Sequence, residues 1–263
     1  MNANRIQYPF LLGTTSYIIP ESIIPNVRML APLVDDIELV LFESDAISNL
    51  PSKREIAELK SIAESYNAGF TIHLPTDRKA GSASTTERQG FRDAARRVID
   101  LTSPLTPHGW VLHLEGITFQ AAQAEIDIWK TRCLEIVSDL SDATGASRLI
   151  AIENLAYPFA CNVSIASECN TMLCLDVGHL WVAQDQSWKT ICKDVLSSTS
   201  IIHLHGVESG NDHISLRRGN DKQIELFLDM LKDYSYTGVL TLEVFNQKDF
   251  TESMEVIREI WEK

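Results

Sequence analysis

The sequence predicts a single (β/α)8 barrel spanning residues 1–263, and three observations predict it. Short apolar strand-like runs alternate with longer stretches of helical spacing, the pattern of parallel βα units. The chain length of 263 residues suits a barrel of about 250 residues, and no Pro/Gly/Ser-rich or charged linker divides it. Thirdly, run after run stops on a metal-ligand residue type: Thr71-Ile72-His73, Val111-Leu112-His113, Ala151-Ile152-Glu153, Cys174-Leu175-Asp176, His203-Leu204-His205 and Leu242-Glu243. A parallel barrel gathers such strand ends at one mouth. An open doubly wound sheet also alternates, but its first βα turn carries GxGxxG. Here that turn reads Gly13-Thr14-Thr15-Ser16-Tyr17.

The expected strands are 9–14, 37–43, 69–74, 109–115, 148–153, 171–176, 200–206 and 238–245. Between them, Glu55 to Tyr66 places Ile56, Leu59, Ile62 and Ala63 on one helical face. Further helices are expected over Phe91 to Leu101, Phe119 to Leu140, Ile224 to Leu231 and Phe250 to Trp261. Asp221 is read as the cap of the seventh helix, and Asp249 or Thr251 as that of the eighth. The polar stretch from Asp77 to Gln89 reads as a mobile loop over the site, and Glu208 to His213 as a further loop.

Composition narrows the function. The N-terminus has no basic region leading into a long apolar stretch, and no apolar run approaches the about 20 residues of a membrane span. Five cysteines, an odd number without a CxxC pair, read as reduced thiols of a cytoplasmic protein. Cys174 falls in a core strand, and Cys161 and Cys169 share a loop-like stretch. The formal charge of −13 opposes a surface built to neutralise nucleic-acid phosphates, with Arg217-Arg218 as a local basic pair. A small-molecule substrate is expected, with no nucleic-acid or membrane partner.

Glu153, Asp176, His205 and Glu243 supply three carboxylates and one imidazole, a set suited to Zn2+, Mn2+, Co2+ or Mg2+. Taken singly, each is equally a salt bridge or a helix cap. His73 and His113 flank the strand carrying Glu153, so a second ion bridged by Glu153 is expected there. His179, with Asp212 or His213, offers a third site. One ion with Glu153 and Glu243 can polarise a hydroxy-ketone and move protons between carbons. Two or three ions can activate water against a phosphoester, and His73 and His113 favour that chemistry. No GxSxG elbow or P-loop occurs. Tyr17, Glu43 and Arg78 are candidate substrate contacts, as is Trp181, each with a structural role as the plainer reading. His203 is expected to turn toward the helices, leaving His205 inward, and His108 is read as structural.

The order His73, His113, Glu153, Asp176-x-x-His179, His205 and Glu243 resembles the xylose isomerase-like barrel superfamily, which includes sugar isomerases and apurinic endonuclease IV. The resemblance spans nearly the whole chain. It implies that Glu153, Asp176, His205 and Glu243 form the single-metal set of the epimerases. It also implies that His73, His113 and His179 correspond to the extra ligands of the three-zinc endonuclease group. That group ends its ligand list with Asp-x-His, whereas this chain has Asn211-Asp212-His213, leaving one to three ions open.

The segments Gly13-Thr14-Thr15-Ser16-Tyr17-Ile18-Ile19-Pro20, Pro25-Asn26-Val27-Arg28, Asp35 to Glu43 and His73-Leu74-Pro75-Thr76-Asp77 resemble the cobamide-remodelling branch. That resemblance implies hydrolysis of a phosphoester in the nucleotide loop of cobamides, for corrinoid salvage, with Zn2+ as metal and Mn2+ or Co2+ as substitutes. Glu153 and Glu243 would be the catalytic carboxylates, and His179 and His213 would hold a third ion or orient the phosphate. The alternatives are a single-metal sugar or sugar-phosphate isomerase or epimerase, and a barrel that binds its ligand without turnover.

Overall fold

The computed structural model describes residues 6–44 and 47–262. Along the chain run β1 (Leu11–Thr15), α1 (Ile23–Leu30), β2 (Asp36–Val40), α2 (Lys53–Tyr66), β3 (Gly69–His73) and α3 (Thr85–Thr102). Next come β4 (Trp110–Leu112), α4 (Gln123–Thr144), β5 (Ile150–Glu153), α5 (Phe159–Cys169), β6 (Met172–Asp176), α6 (Val177–Val182) and α7 (Trp188–Val195). The rest comprises β7 (Thr199–Leu204), β8 (Gly206–Glu208), β9 (Asn211–Ile214), α8 (Asp221–Tyr234), β10 (Val239–Leu242) and α9 (Gln247–Trp261).

The parallel strands close into the expected barrel in the order β1-β10-β7-β6-β5-β4-β3-β2, while β8 and β9 pair as a separate hairpin. Barrel strands are covered on both faces, which is why runs such as Ile150-Ala151-Ile152 are apolar without alternation. The strands are shorter than expected, because pairing stops at their last ladder bonds while the apolar sequence runs on.

Contacts divide the barrel into two compact units. The first takes the chain through Glu38, Ser61–Gly69 and everything from Leu175 onward. Its core holds Val27, Leu30, Ile37, Ile201, Leu204, Phe227, Leu240 and Ile257, all fully buried. Each contributes about 1.5–3 kcal/mol by leaving water. Tyr8 stacks on Phe10 at 5.1 Å, and Trp261 meets the two rings edge-on at 5.6 and 5.1 Å.

The second unit comprises Leu39–Lys60 and Phe70–Cys174. Its core gathers Ile72, Phe91, Val98, Val111, Leu112, Ile136 and Ile152 as α3, α4 and α5 pack in succession. Here the polar loop expected over 77–89 is largely pinned. Ser84 caps α3 by accepting the Glu87 N–H, so its last residues are helix. Ala80, Gly81 and Ser82 are buried. The Gly81 N–H donates to the Glu115 carbonyl at 2.8 Å. A Cβ on Gly81 would lie 2.1 Å from Trp129 Nε1, so only glycine lets the backbone pass that indole.

Other local expectations are corrected. Cys161 and Cys169 lie on α5 and not in a loop. The cap of α8 is Asn220, whose side chain accepts the Gln223 N–H, and Asp221 is the first helical residue. The cap of α9 is Asn246, with Asp249 completing a reciprocal pair as its N–H meets Asn246 Oδ1 at 2.9 Å. The stretch from Glu208 to His213 belongs to the β8–β9 hairpin, turning through Ser209 and Gly210 at φ 52° and 82°.

Candidate metal centre

In the second unit, β3 ends on His73, β4 runs out into His113 and β5 ends on Glu153. Each imidazole sits at a strand end because the ladder carries its backbone there. His73 is buried, and its Nδ1 donates to the Leu74 carbonyl at 2.9 Å. A neutral ring then carries its lone pair on Nε2, which faces Glu153 Oε2 at 3.3 Å. His113 Nε2 reaches the same oxygen at 2.9 Å, and the two rings meet edge-to-face at 4.7 Å. Asn162 Nδ2 holds the Glu153 carbonyl at 2.6 Å from α5. Ligand atoms of His73, His113 and Glu153 all lie within 4.8 Å of one another. A lone pair aimed at a carboxylate is stable with a cation between them, so these residues fit a divalent metal ion.

In the first unit, Asp176 ends β6 and caps α6, its Oδ1 accepting the His179 N–H at 2.6 Å. Its Oδ2 lies 3.4 Å from His179 Nδ1, and Oδ1 lies 3.3 Å from His205 Nε2. Gly178 makes room for that ring, since a Cβ there would stand 2.1 Å from His205 Cε1. The hairpin returns His213 to the same place. Its amide donates to His205 Nδ1 at 3.0 Å, its Nε2 lies 3.3 Å from Glu243 Oε2 and its Nδ1 3.1 Å from Asp212 Oδ1. Asp176, His179, His205 and His213 form one donor group with all ligand atoms within 4.8 Å. Burial lowers the His213 pKa, but the bond and charge of Glu243, then Asp212 and Asp176, outweigh it and raise it to about 9. Burial raises that of Asp212, and the His213 bond and charge bring it below the usual carboxylate value.

His203 overturns its expected direction. Residues two apart on a strand face the same side, so His203 and His205 both point at acids. His203 Nε2 lies 2.9 Å from Glu38 Oε2, and Nδ1 3.2 Å from Glu243 Oε2. Its donor atom lies within 4.8 Å of those of Asp176 and Glu243. Sequence reasoning missed both Glu38 and His203. The signals were an acid inside a five-residue strand, Asp36-Ile37-Glu38-Leu39-Val40, that is buried throughout, and the period-2 rule itself.

None of the candidate substrate residues is a member of these donor groups. Glu43 lies beyond β2, its carboxylate 3.3 Å from Arg97 and its carbonyl accepting Arg78 Nε at 3.2 Å. Tyr17 is half-buried just after β1. Trp181 is buried on α6, edge-on to Trp188 at 5.8 Å. Arg217 is held by both oxygens of Glu259 at 2.8 Å, and Arg218 by Glu208 at 2.6 Å, so the basic pair is matched by acids. None of the five cysteines is in a disulfide, and burial pushes the Cys192 thiol up to about 12. Among the described residues no helix is long and apolar enough to cross a membrane.

Comparison with known proteins agrees with the barrel fold. A D-tagatose 3-epimerase-like protein superposes with a TM-score of 0.78 at 20% identity, covering 96% of this chain and 97% of its own. The 3-keto-D-glucoside 4-epimerase YcjR of E. coli does so with a TM-score of 0.72 at 15% identity, covering 97% and 100%. At these identities the likeness is one of fold. The uncharacterized protein MJ1311 of Methanocaldococcus jannaschii is 24% identical over 95% of this chain and 89% of its own length. The family model of the xylose isomerase-like TIM barrel matches residues 34–260, and the chain belongs to that family.

Proposed function

We propose that the chain hydrolyses a phosphoester of a small molecule with more than one divalent ion, Zn2+ first among the candidates. The observation that carries this reading is the sharing of Asp176 by two donor groups, one with His179, His205 and His213, the other with His203 and Glu243. Two adjoining donor groups joined by a carboxylate suit paired ions about 3.5–4 Å apart. Such ions, when bound, lower the pKa of a water and offset charge building on phosphoryl oxygens.

The chain's own residues set the geometry around that chemistry. Asp176 is fixed by the His179 amide, His205 by Gly178 and the His213 amide, and His213 by Asp212. The half-buried rings of His179 and His213 face incoming substrate and orient a phosphate. Within the second unit, Glu153 anchors a further donor set with His73 and His113. The substrate class follows the resemblance of the first eighty residues, a phosphoester in the nucleotide loop of a cobamide.

The comparisons favour a second reading, a sugar or sugar-phosphate isomerase or epimerase, because proteins of similar fold include epimerases. In it Asp176, His203 and Glu243 hold one ion, and a glutamate carries the proton between carbons.

One experiment separates the two. The metal content of the purified chain is counted, and it is then incubated with a cobamide, with ketoses in D2O, and with each plus EDTA. Several ions and an EDTA-sensitive loss of the lower-ligand absorbance support hydrolysis. A single ion, unchanged cobamide and deuterium entering a ketose establish the isomerase reading and end the first.

A further inference from the structure

We propose that Glu38 is a positioning residue that fixes His203 as an Nδ1 metal ligand; this rests on the reading of Asp176, His203 and Glu243 as a metal site. Glu38 sits on β2 in register with Thr15 of β1, while His203 on β7 is in register with Thr241 of β10. The two side chains, 165 residues apart in sequence, meet at 2.9 Å, and both are fully buried. A buried carboxylate is costly unless it is paired. Glu38 Oε1 has no hydrogen-bond partner among the described residues, which leaves Oε2 and the imidazole as its compensation.

In this contact the carboxylate oxygen accepts and the imidazole donates, which places a proton on His203 Nε2. A neutral ring then presents the Nδ1 lone pair toward Glu243 Oε2, 3.2 Å away, and toward Asp176. His73 is wired the other way round. Its Nδ1 donates to a backbone carbonyl and its Nε2 faces the donors. A carboxylate behind a ligand imidazole fixes the tautomer, stops ring rotation and raises the basicity of the coordinating nitrogen. Glu38 does this from inside the barrel, through the ring nitrogen opposite the one that faces Glu243.

The test uses Zn2+ as probe on the whole chain. In the wild type loaded with Zn2+, long-range 1H–15N correlations should show His203 protonated at Nε2 and metal-shifted at Nδ1; a proton on Nδ1 overturns the proposal. Zn2+ affinity by competition should fall about tenfold in E38Q, which keeps an acceptor, and about a hundredfold in E38L, the range known for such outer carboxylates. Should E38L fail to fold, the wild-type spectrum still decides. If H203A weakens Zn2+ binding and E38L does not, Glu38 has no positioning role while the metal reading stands. If the wild type retains no Zn2+, both fall together.

Discussion

The imidazole of His213 lies flat on that of His205, ring centroids 4.2 Å apart and planes 17° from parallel. The cause is the β8–β9 hairpin. Gly206 pairs with Ile214 and Glu208 with Asn211, so β9 carries one residue more than β8 across the same ladder. That bulge falls at Asp212 and His213, and His213 takes the left-handed backbone at φ 51°. Bulges of this kind re-aim a side chain beside functional sites.

Removing metal should therefore be visible in stability. A ligand at 100 times its dissociation constant adds about 2.7 kcal/mol, which for a chain of this size is about 5–10 °C of Tm. EDTA should lower Tm by that order and Zn2+ should restore it, followed by calorimetry. In H213A the restored shift should shrink and the ion count should drop. An H213A chain with wild-type metal content would remove His213 from the site.

Gly210 and Gly145 provide a matched pair. Both have positive φ, 82° and 71°, and neither has an atom within 4 Å of an added Cβ, so alanine at either should cost about 1 kcal/mol through backbone strain. Urea unfolding should show equal losses. Zn2+ affinity should fall in G210A alone, because Gly210 turns the strand bearing His213 and Gly145 ends α4. Equal affinities in the two variants would disconnect the hairpin from the ion.

At Gly81 the strain is one of space. A methyl group placed 2.1 Å from Trp129 Nε1 forces the indole or the 80–82 backbone to move, and such overpacking costs about 1–3 kcal/mol. G81A should lose that much in urea and shift the tryptophan fluorescence. Unchanged stability would show that the segment after β3 is not held by that contact.

Tyr8 sets an alkaline limit. Burial, then the charge of Glu262, raises its pKa from 10.0 to about 12. The phenol is neutral in both states below pH 10, so its contribution is intact there. Between 10 and 12 the unfolded chain ionises first, and stability falls as pH rises. Y8F should flatten that limb in pH-dependent melts, and a limb that persists in Y8F would place the loss elsewhere.

The barrel was legible because parallel strands covered on both faces leave uninterrupted apolar runs, and because a metal-ligand residue type at a run's end marks the mouth. His73, His113, Glu153 and Asp176 stood out for that reason, with His179 just beyond the last of them. Helix starts were misread by up to several residues. At α8 and α9 the capping side chains are Asn220 and Asn246, while the acids chosen as caps, Asp221 and Asp249, lie inside the first turn. Glu38 was hidden because a buried acid reads locally as a surface residue; only the closed sheet brings it to His203. His213 was among the candidates for a third site beside His179, but its direction was not legible, because a bulge breaks the alternation from which side-chain direction is read.

That extra residue gives the hairpin a parity. Deleting one residue from β9 would equalise the two strands, restore alternation and swing the His213 imidazole out of the donor group with no ligand mutated. Adding two residues at the turn would leave its direction intact. Whether this segment completes the donor group is therefore set as much by whether its length is odd or even as by which residues it contains.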